Sequence, residues 1–303
     1  MSERSVASAT RTGVEEIHFR SELVYVCLVV NRRQKSARVV DFLAGNFPQK
    51  QAALQQLATK EGIQRLFTLV EREESTGWSR VGYAREGSIP GYYKRSDAYV
   101  MGHLIHDPPA VNADGTLVPP IADQNRAERS INAAKKLKDV VAPKSARMQV
   151  MSDADVAGLK PLVKGKKSLP TFEERFGRTG ARLHLGARDP RNAKAHDQIV
   201  TAEVQECFGN AYLQVTTTPS TEIEARNLVA ALNGMVETLR GREVASTFAF
   251  APVDDLLIGA AMLAAGFRKT GLLAKHLIVG DQRVDAIMWT RKTGLATDAA
   301  DAA

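Results

Sequence analysis

The stretch from Asn210 to Arg291 constrains this chain more than any other. Ala211–Thr217 has the alternation of a strand, and Thr216 to Thr221 is a polar turn containing Pro219. Glu222–Arg240 then places Leu228, Leu232, Met235, Val236 and Leu239 on one face at helical spacing. A strand at Val244–Phe250, a small-residue helix at Leu256–Ala265 and a hairpin of Arg268–Ile278 with Arg283–Thr290 complete the series. Strands that alternate with helices and end in a hairpin predict an α/β chain built on a mixed sheet.

Earlier parts of the chain carry the same two periodicities. Leu23–Val30 is a continuous β-branched run that suits a strand buried on both faces, and Ala37–Val40 is a short return strand. Pro48–Glu61 reads as a helix with Gly62 as its stop, Gln64–Val70 as a strand, and Trp78–Val81 as a short helix stopped by Gly82. Pro90-Gly91 marks a turn before a closing strand at Asp97–His103. Tyr92 and Tyr93 follow that turn, placed either to line a pocket or to sit half-buried at an edge. Ser152 is a good N-cap for a helix with acids in its first turn, and Thr171 with Glu174 forms a capping pair. Arg182–Ala187 and Gln198–Phe208 alternate as strands.

The two ends of the pattern echo one another. Gly82-Tyr83, a strand, a turn and Asp97-Ala-Tyr-Val-Met101 correspond to Gly266-Phe267, a strand, a turn and Asp285-Ala-Ile-Met-Trp289. This predicts two copies of one α/β unit, the first shortened at its N-terminal side. The expected division is a shortened domain at 14–106, a basic linker with a helix at 107–150, a complete domain at 151–292 and a disordered tail at 293–303. The Pro-, Asn-, Asp- and Gly-rich stretch Asp107–Pro120 marks the boundary, and Ala122–Val141 is the linker helix.

Composition narrows the function classes. Cys27 and Cys207 lie in strand-like surroundings, and with six scattered histidines they give no metal-ligand spacing, so no metal is expected. No apolar run approaches the ~20 residues of a membrane span, and the N-terminus lacks the apolar core of a secretion signal, so a cytoplasmic protein is expected. The net charge of +7 favours acidic partners. Its excess lies at Arg126, Arg129, Lys135, Lys136, Lys138, Lys144 and Arg147, then Lys160, Lys164, Lys166 and Lys167. Few aromatics interleave with these residues, so a solvated basic face is the first reading and a nucleic-acid contact the second.

The order from Ser152 to Arg291, with Gly266-Phe267 and Asp285 at its close, resembles the GNAT superfamily of N-acetyltransferases. Ser88-Ile-Pro-Gly-Tyr-Tyr93 followed by Asp97-Ala98 and Met101 looks like the N-terminal half of the β-lysine N-acetyltransferase type within it. The resemblance implies a tandem GNAT-like fold, with the N-terminal half shortened, that binds acetyl-CoA where two strands part. Val215, Thr216, Thr217 and Thr218 would serve the pantetheine arm, and the turn before Arg226, Asn227 and Leu228 would cradle the pyrophosphate. It further implies transfer of an acetyl group to the amine of a small molecule or amino acid.

The family's phosphate turn is Arg or Gln, two residues, Gly, one residue, then Gly or Ala. Here those places fall on Glu224, Asn227 and Val229, or in a shifted register on Arg226, Val229 and Ala231, and neither has the glycine that lets backbone approach a phosphate. The family's tyrosine acid falls on Met262. Glu206, Asp254 and Asp255 are carboxylates within range of a base role, and no single one is assigned. Two functions are therefore carried forward: an acetyl-CoA-dependent N-acetyltransferase, and a catalytically inactive relative that serves as a binding or assembly module for a protein or nucleic-acid partner.

Overall fold

The computed structural model describes residues 14–43, 45–93, 96–142, 146–158, 176, 181–191, 198–205 and 208–294. In the first half, β1 (Val14–Arg20), β2 (Tyr25–Asn31) and β3 (Ser36–Asp41) are antiparallel neighbours. Helix α1 (Phe47–Lys60) crosses over to β4 (Arg65–Val70), which lies parallel to β3. Helix α2 (Arg72–Arg80), β5 (Ala84–Ile89) and β6 (Ala98–Leu104) follow. A small hairpin, β7 (Ala110–Val111) with β8 (Leu117–Val118), and helix α3 (Gln124–Leu137) lead into the second half.

That half contains β9 (Arg147–Met151), α4 (Asp153–Gly158), β10 (Ala181–Arg188), β11 (Gln198–Gln205) and β12 (Asn210–Val215). Helix α5 (Glu222–Arg240) crosses over to β13 (Ser246–Pro252), parallel to β12, and α6 (Leu256–Ala264) leads to the hairpin of β14 (Arg268–Val279) and β15 (Gln282–Lys292). Among the described residues one thirteen-stranded mixed sheet results, in the order β1-β2-β3-β4-β6-β5-β14-β15-β13-β12-β11-β10-β9. The expected α/β class with a mixed sheet is the one found. The run β1-β2-β3-β4-β6-β5 is repeated, mirrored about the centre, by β10-β11-β12-β13-β15-β14.

The sequence echo has a matching geometry. Gly91 and Lys275 both take positive φ, 65° and 46°, and their N–H groups donate to Asp97 Oδ1 at 2.9 Å and Asp285 Oδ1 at 2.8 Å. A carboxylate at the base of each hairpin thus holds the same left-handed kink, which costs Lys275 more than it costs glycine. The halves join where β5 meets β14, at the single register pair Gly87↔Gly271. A Cβ on Gly87 would come within 2.6 Å of Gly271 Cα, so only glycine fits there.

The longer helices of each half lie on one face of the sheet, whereas α4 packs Val156 on Ile199 from the opposite face. Helices α1 and α2 cover a core that includes Leu28, Leu54, Leu66 and Trp78. Helix α5 buries the predicted Leu228, Leu232, Met235, Val236 and Leu239 in a second core. Helix α3 packs on α6 through Ala127 and Ala134, where Gly259 leaves room: a Cβ there would be 3.2 Å from Ala134 Cβ. The expected linker helix is therefore docked, with Lys135 and Lys136 on its exposed side. On the face away from the helices the two halves meet in a third, aromatic core containing Phe67, Tyr92, Phe176, Tyr212, Phe248 and Phe250.

Reciprocal hydrogen bonds complete the junction. From the first half's hairpin, Pro90 O accepts from Ser246 Oγ (3.3 Å) and Tyr92 O from Asn210 Nδ2 (3.0 Å). From the second half's hairpin, Arg283 donates to Gln34 O, Lys35 O and Gln64 Oε1, and Ile278 N–H to Gln34 Oε1 (2.7 Å). Each hairpin therefore grips the starts of the other half's two parallel strands.

Strand β1 and strand β9 are elements that the sequence patterns above do not announce, and α2 begins six residues before the expected Trp78. The capping pair at Thr171–Glu174, the tail beyond 294, Lys144, Lys160, Lys164, Lys166 and Lys167 lie outside the described residues.

Candidate functional site

Strands β12 and β13 pair from Asn210↔Ser246 to Leu213↔Ala249 and then part. Beyond that point Gln214 and Val215 stay in register with β11, while Phe250, Ala251 and Pro252 stay in register with β15. Thr216 N–H is taken by Ile199 O at 2.9 Å. Because successive N–H groups point to opposite sides of a strand, Val215 N–H faces the gap.

Thr216 is buried, and Thr217 and Thr218 are half-buried in the turn behind the gap. Thr221 caps α5 by accepting from Glu224 N–H at 3.2 Å. The Glu224 carboxylate turns back and accepts from Ser220 N–H and Ser220 Oγ, both at 2.7 Å. The helix N-terminus, where an anion is favoured by N–H groups and dipole alike, thus holds an internal carboxylate that is buried. Arg226 donates from Nε to Val140 O at 2.8 Å and so ties α5 to the segment after α3. Asn227 and Leu228 are buried, with Leu228 in the core. The structure therefore brings Val215, Thr216, Thr217 and Thr218 together at the gap and turns Arg226 and Leu228 away from it.

The first half repeats this closure with the opposite charge. Pairing of β3 with β4 ends at Val39↔Thr68, and the fully buried Lys50, from the first turn of α1, donates to Asp41 and Leu43 O.

The gap between β12 and β13 opens at Gln214 and Phe250, and both line a cleft of about 60 Å³ between the halves. Phe176 packs against Tyr212 and Phe248, each with ring centroids 5.0 Å away. The Arg38 guanidinium lies 4.7 Å from the Phe176 ring centroid and donates to Phe176 O (3.3 Å) and Tyr92 Oη (3.4 Å). Glu203 accepts from Phe176 N–H at 2.9 Å. Tyr92 is wholly buried in the junction, and Tyr93 is half-buried with its hydroxyl donating to Leu69 O at 2.9 Å. Burial raises the pKa of both phenols; the nearby Arg38 opposes that rise.

The carboxylates singled out in the sequence have structural work. Asp254 pairs with Arg126, and Asp255 caps α6 by accepting from Ile258 N–H at 2.9 Å. Glu206 lies outside the described residues, as does Cys207. Met262 is fully buried in α6 and has no proton to give. A different proton-handling chain appears: Asp153 Oδ1 to His184 Nε2 at 2.7 Å, His184 Nδ1 to Thr201 Oγ1 at 2.8 Å, and Thr201 Oγ1 to Thr216 Oγ1 at 3.4 Å. It runs from an exposed carboxylate to the edge of the gap. The pairing of β10, β11 and β12 and the packing of α4 bring these residues together, and no spacing in the sequence marks them.

Among the described residues no helix is long and apolar enough to cross a membrane. No family model matches the chain, and no curated protein matches it. Among solved structures it is similar to the ribosomal-protein-S18-alanine N-acetyltransferase of Escherichia coli, at 17% identity and a TM-score of 0.38, over 50% of this chain and 96% of that one. It is similar to an acetyltransferase of unconfirmed activity from Sphaerobacter thermophilus at 17% identity and a TM-score of 0.38, over 48% and 93% of the two chains. A spermidine/spermine N-acetyltransferase from Vibrio cholerae gives 12% identity and a TM-score of 0.38, over 52% and 97%. Likeness at these levels decides nothing about chemistry, which rests on the residues themselves.

Proposed function

We propose that the chain is an acyl-CoA-dependent N-acyltransferase of tandem architecture, whose second half presents an acetyl thioester to a small amine in the cleft between the halves. The observation that carries this reading is the parting of β12 from β13, because the residues at its mouth, Gln214 and Phe250, are also walls of the cleft. Backbone at Val215, Thr216, Thr217 and Thr218 would hold the pantetheine arm, with Asn227 and Leu228 behind the turn. Attack by the neutral amine on the thioester carbonyl forms the C–N bond and expels the thiolate, which is protonated; the amine must lose a proton. In this reading His184, held by Asp153 and joined through Thr201 to Thr216, would take up that proton by relay.

A second reading is favoured by Glu224. Its carboxylate occupies the place where pyrophosphate would sit, and two anions at that turn repel one another. In this reading the fold persists as a binding or assembly module without catalysis. Calorimetry with acetyl-CoA on the intact protein and on Glu224→Gln tests both. Binding by the wild type, tightened by Glu224→Gln, supports the enzyme; no binding by either at millimolar ligand removes it and leaves the module.

A further inference from the structure

We infer that the cleft between the halves is a binding site for a small carboxylate, held by Arg38, His276, Gln34 and Asn31. The argument is a count of donors and acceptors. Asn31 Oδ1 accepts from Gln34 N–H at 2.9 Å, and Gln34 Oε1 accepts from Ile278 N–H at 2.7 Å. A backbone N–H can only donate, so both amides have a forced orientation and present their NH₂ groups as what remains. His276 Nδ1 accepts from Arg65 Nε at 3.0 Å, which fixes the tautomer and leaves Nε2–H as a donor. Burial, with the cations of Arg65 and Arg283 beside it, holds this ring's pKa well below the ordinary range and keeps it neutral.

Arg38 spends its two Nη groups on Phe176 O and Tyr92 Oη, while its Nε–H is buried without an acceptor. A buried guanidinium N–H with no partner is costly, and an incoming oxygen would relieve it. All four residues line the cleft, and no Asp or Glu is among its lining residues. Ser36, Tyr212 and Gln214 also line the cleft and can donate or accept alike, so the donor-only groups of Arg38, His276, Gln34 and Asn31 set its character, around one positive charge. A volume of about 60 Å³ suits a group the size of acetate. Gln34 and His276 are 6% and 7% exposed, so the donors are held by the fold and not by a mobile surface. The edges of the His276 ring contact Phe67 and Phe250, with centroids 5.2 and 4.6 Å away, and these rings give a planar ligand apolar walls.

A carboxylate can come as a free acid or as part of an amino acid, and the two are separable. The test is isothermal titration of the intact protein with sodium acetate, glycine and sodium phosphate at constant ionic strength, repeated on Arg38→Gln and Arg38→Lys. Saturable acetate binding in the millimolar range is expected, weakened at least tenfold by both substitutions, since lysine restores the charge but not the Nε–H. Glycine binding less tightly than acetate identifies the free acid as the source, whereas glycine binding more tightly identifies the amino acid; both support the carboxylate site. Circular dichroism establishes that each variant is folded, and His276→Phe serves if Arg38 variants are not. Absence of saturable acetate binding to the wild type, equal affinity in folded variants, or tighter binding of phosphate than of either carboxylate would overturn the inference. No CoA is present in this titration, so its failure leaves the acyltransferase reading standing.

Discussion

Gly87 and Gly271 face each other where β5 pairs with β14, and each stands five residues beyond a left-handed glycine, Gly82 and Gly266, that follows a helix. Equivalent residues of the two halves thus meet at the centre of the sheet, as a two-fold relation between like units requires. A Cβ on Gly271 would lie 2.8 Å from Glu86 O and 2.9 Å from Gly87 Cα, both backbone atoms that cannot swing aside.

Alanine at either glycine is therefore expected to strain the junction. Gly87→Ala and Gly271→Ala should each cost about 1–3 kcal/mol by overpacking. Their double mutant should cost less than the sum, because one displacement of the strands relieves both. Urea unfolding of the four proteins measures this, and strict additivity would show that the two positions do not share one contact.

Arg65 and Glu86 form a buried ion pair that also spans the junction, since Glu86 Oε1 accepts from Ala274 N–H at 3.0 Å. Burial raises the pKa of Glu86, and Arg65 counters it. Removing the cation alone in Arg65→Met strands the carboxylate, at an expected cost of about 3–5 kcal/mol. Arg65→Met with Glu86→Gln keeps the acceptor for Ala274 and removes the charge, so most of the loss should return. A double-mutant cycle by denaturant unfolding decides it; an unrecovered loss would mean that packing around Arg65, not charge, is what matters.

The capping role of Glu224 gives a measurement in which stability and affinity move in opposite directions. Glu224→Ala removes the partner of Ser220 N–H and Oγ, and should lower stability by about 1 kcal/mol. The same change removes a negative charge from the helix N-terminus and should tighten acetyl-CoA binding. Parallel thermal melts and titrations read the two effects; a fall in both would place the carboxylate among the groups that support the ligand.

Stability should also fall in mild acid. His276 has a folded-state pKa well below its usual 6.5, so below that pH the unfolded chain takes up a proton that the native state does not. Stability from this group is complete above about pH 6.5 and declines as pH falls, by on the order of 1 kcal/mol at pH 5.5. Buried His103, lowered mainly by burial, acts in the same direction. Urea midpoints at pH 7.5 and 5.5 should separate for the wild type and separate less for His276→Gln; an unchanged difference would assign the effect elsewhere.

Much of the architecture was legible because its signals are local. Helix α5 spans Glu222–Arg240 as its apolar stripe predicts, and α1 and β4 lie within one residue of expectation. The echo between Gly82–Met101 and Gly266–Trp289 was visible because hairpin-base Asp and post-helix Gly are fixed by backbone geometry. Strand β1 was not, since Val14-Glu-Glu-Ile-His-Phe-Arg20 has adjacent charges that break the alternation. The cleft was illegible for another reason. Arg38 and His276 meet there only because two distant hairpins cross, and nothing in either local sequence marks them as neighbours. The charges of the turn residues Glu224 and Arg226 are plain in the sequence, but their bonds to Ser220 and Val140 depend on side-chain direction, which periodicity does not encode.

The central glycine pairing also settles where this sheet is exposed to self-association. Two separate halves would offer four open strand edges; joined at β5 and β14, the described residues leave two, β1 and β9. Strand β1 guards its edge with Glu15, Glu16, His18 and Arg20. Strand β9 is less protected, with Val150 78% and Met148 39% exposed on a strand that, among the described residues, pairs with β10 alone. Pairing with a second chain is therefore expected first along this five-residue segment, and Val150→Lys is the substitution expected to blunt it.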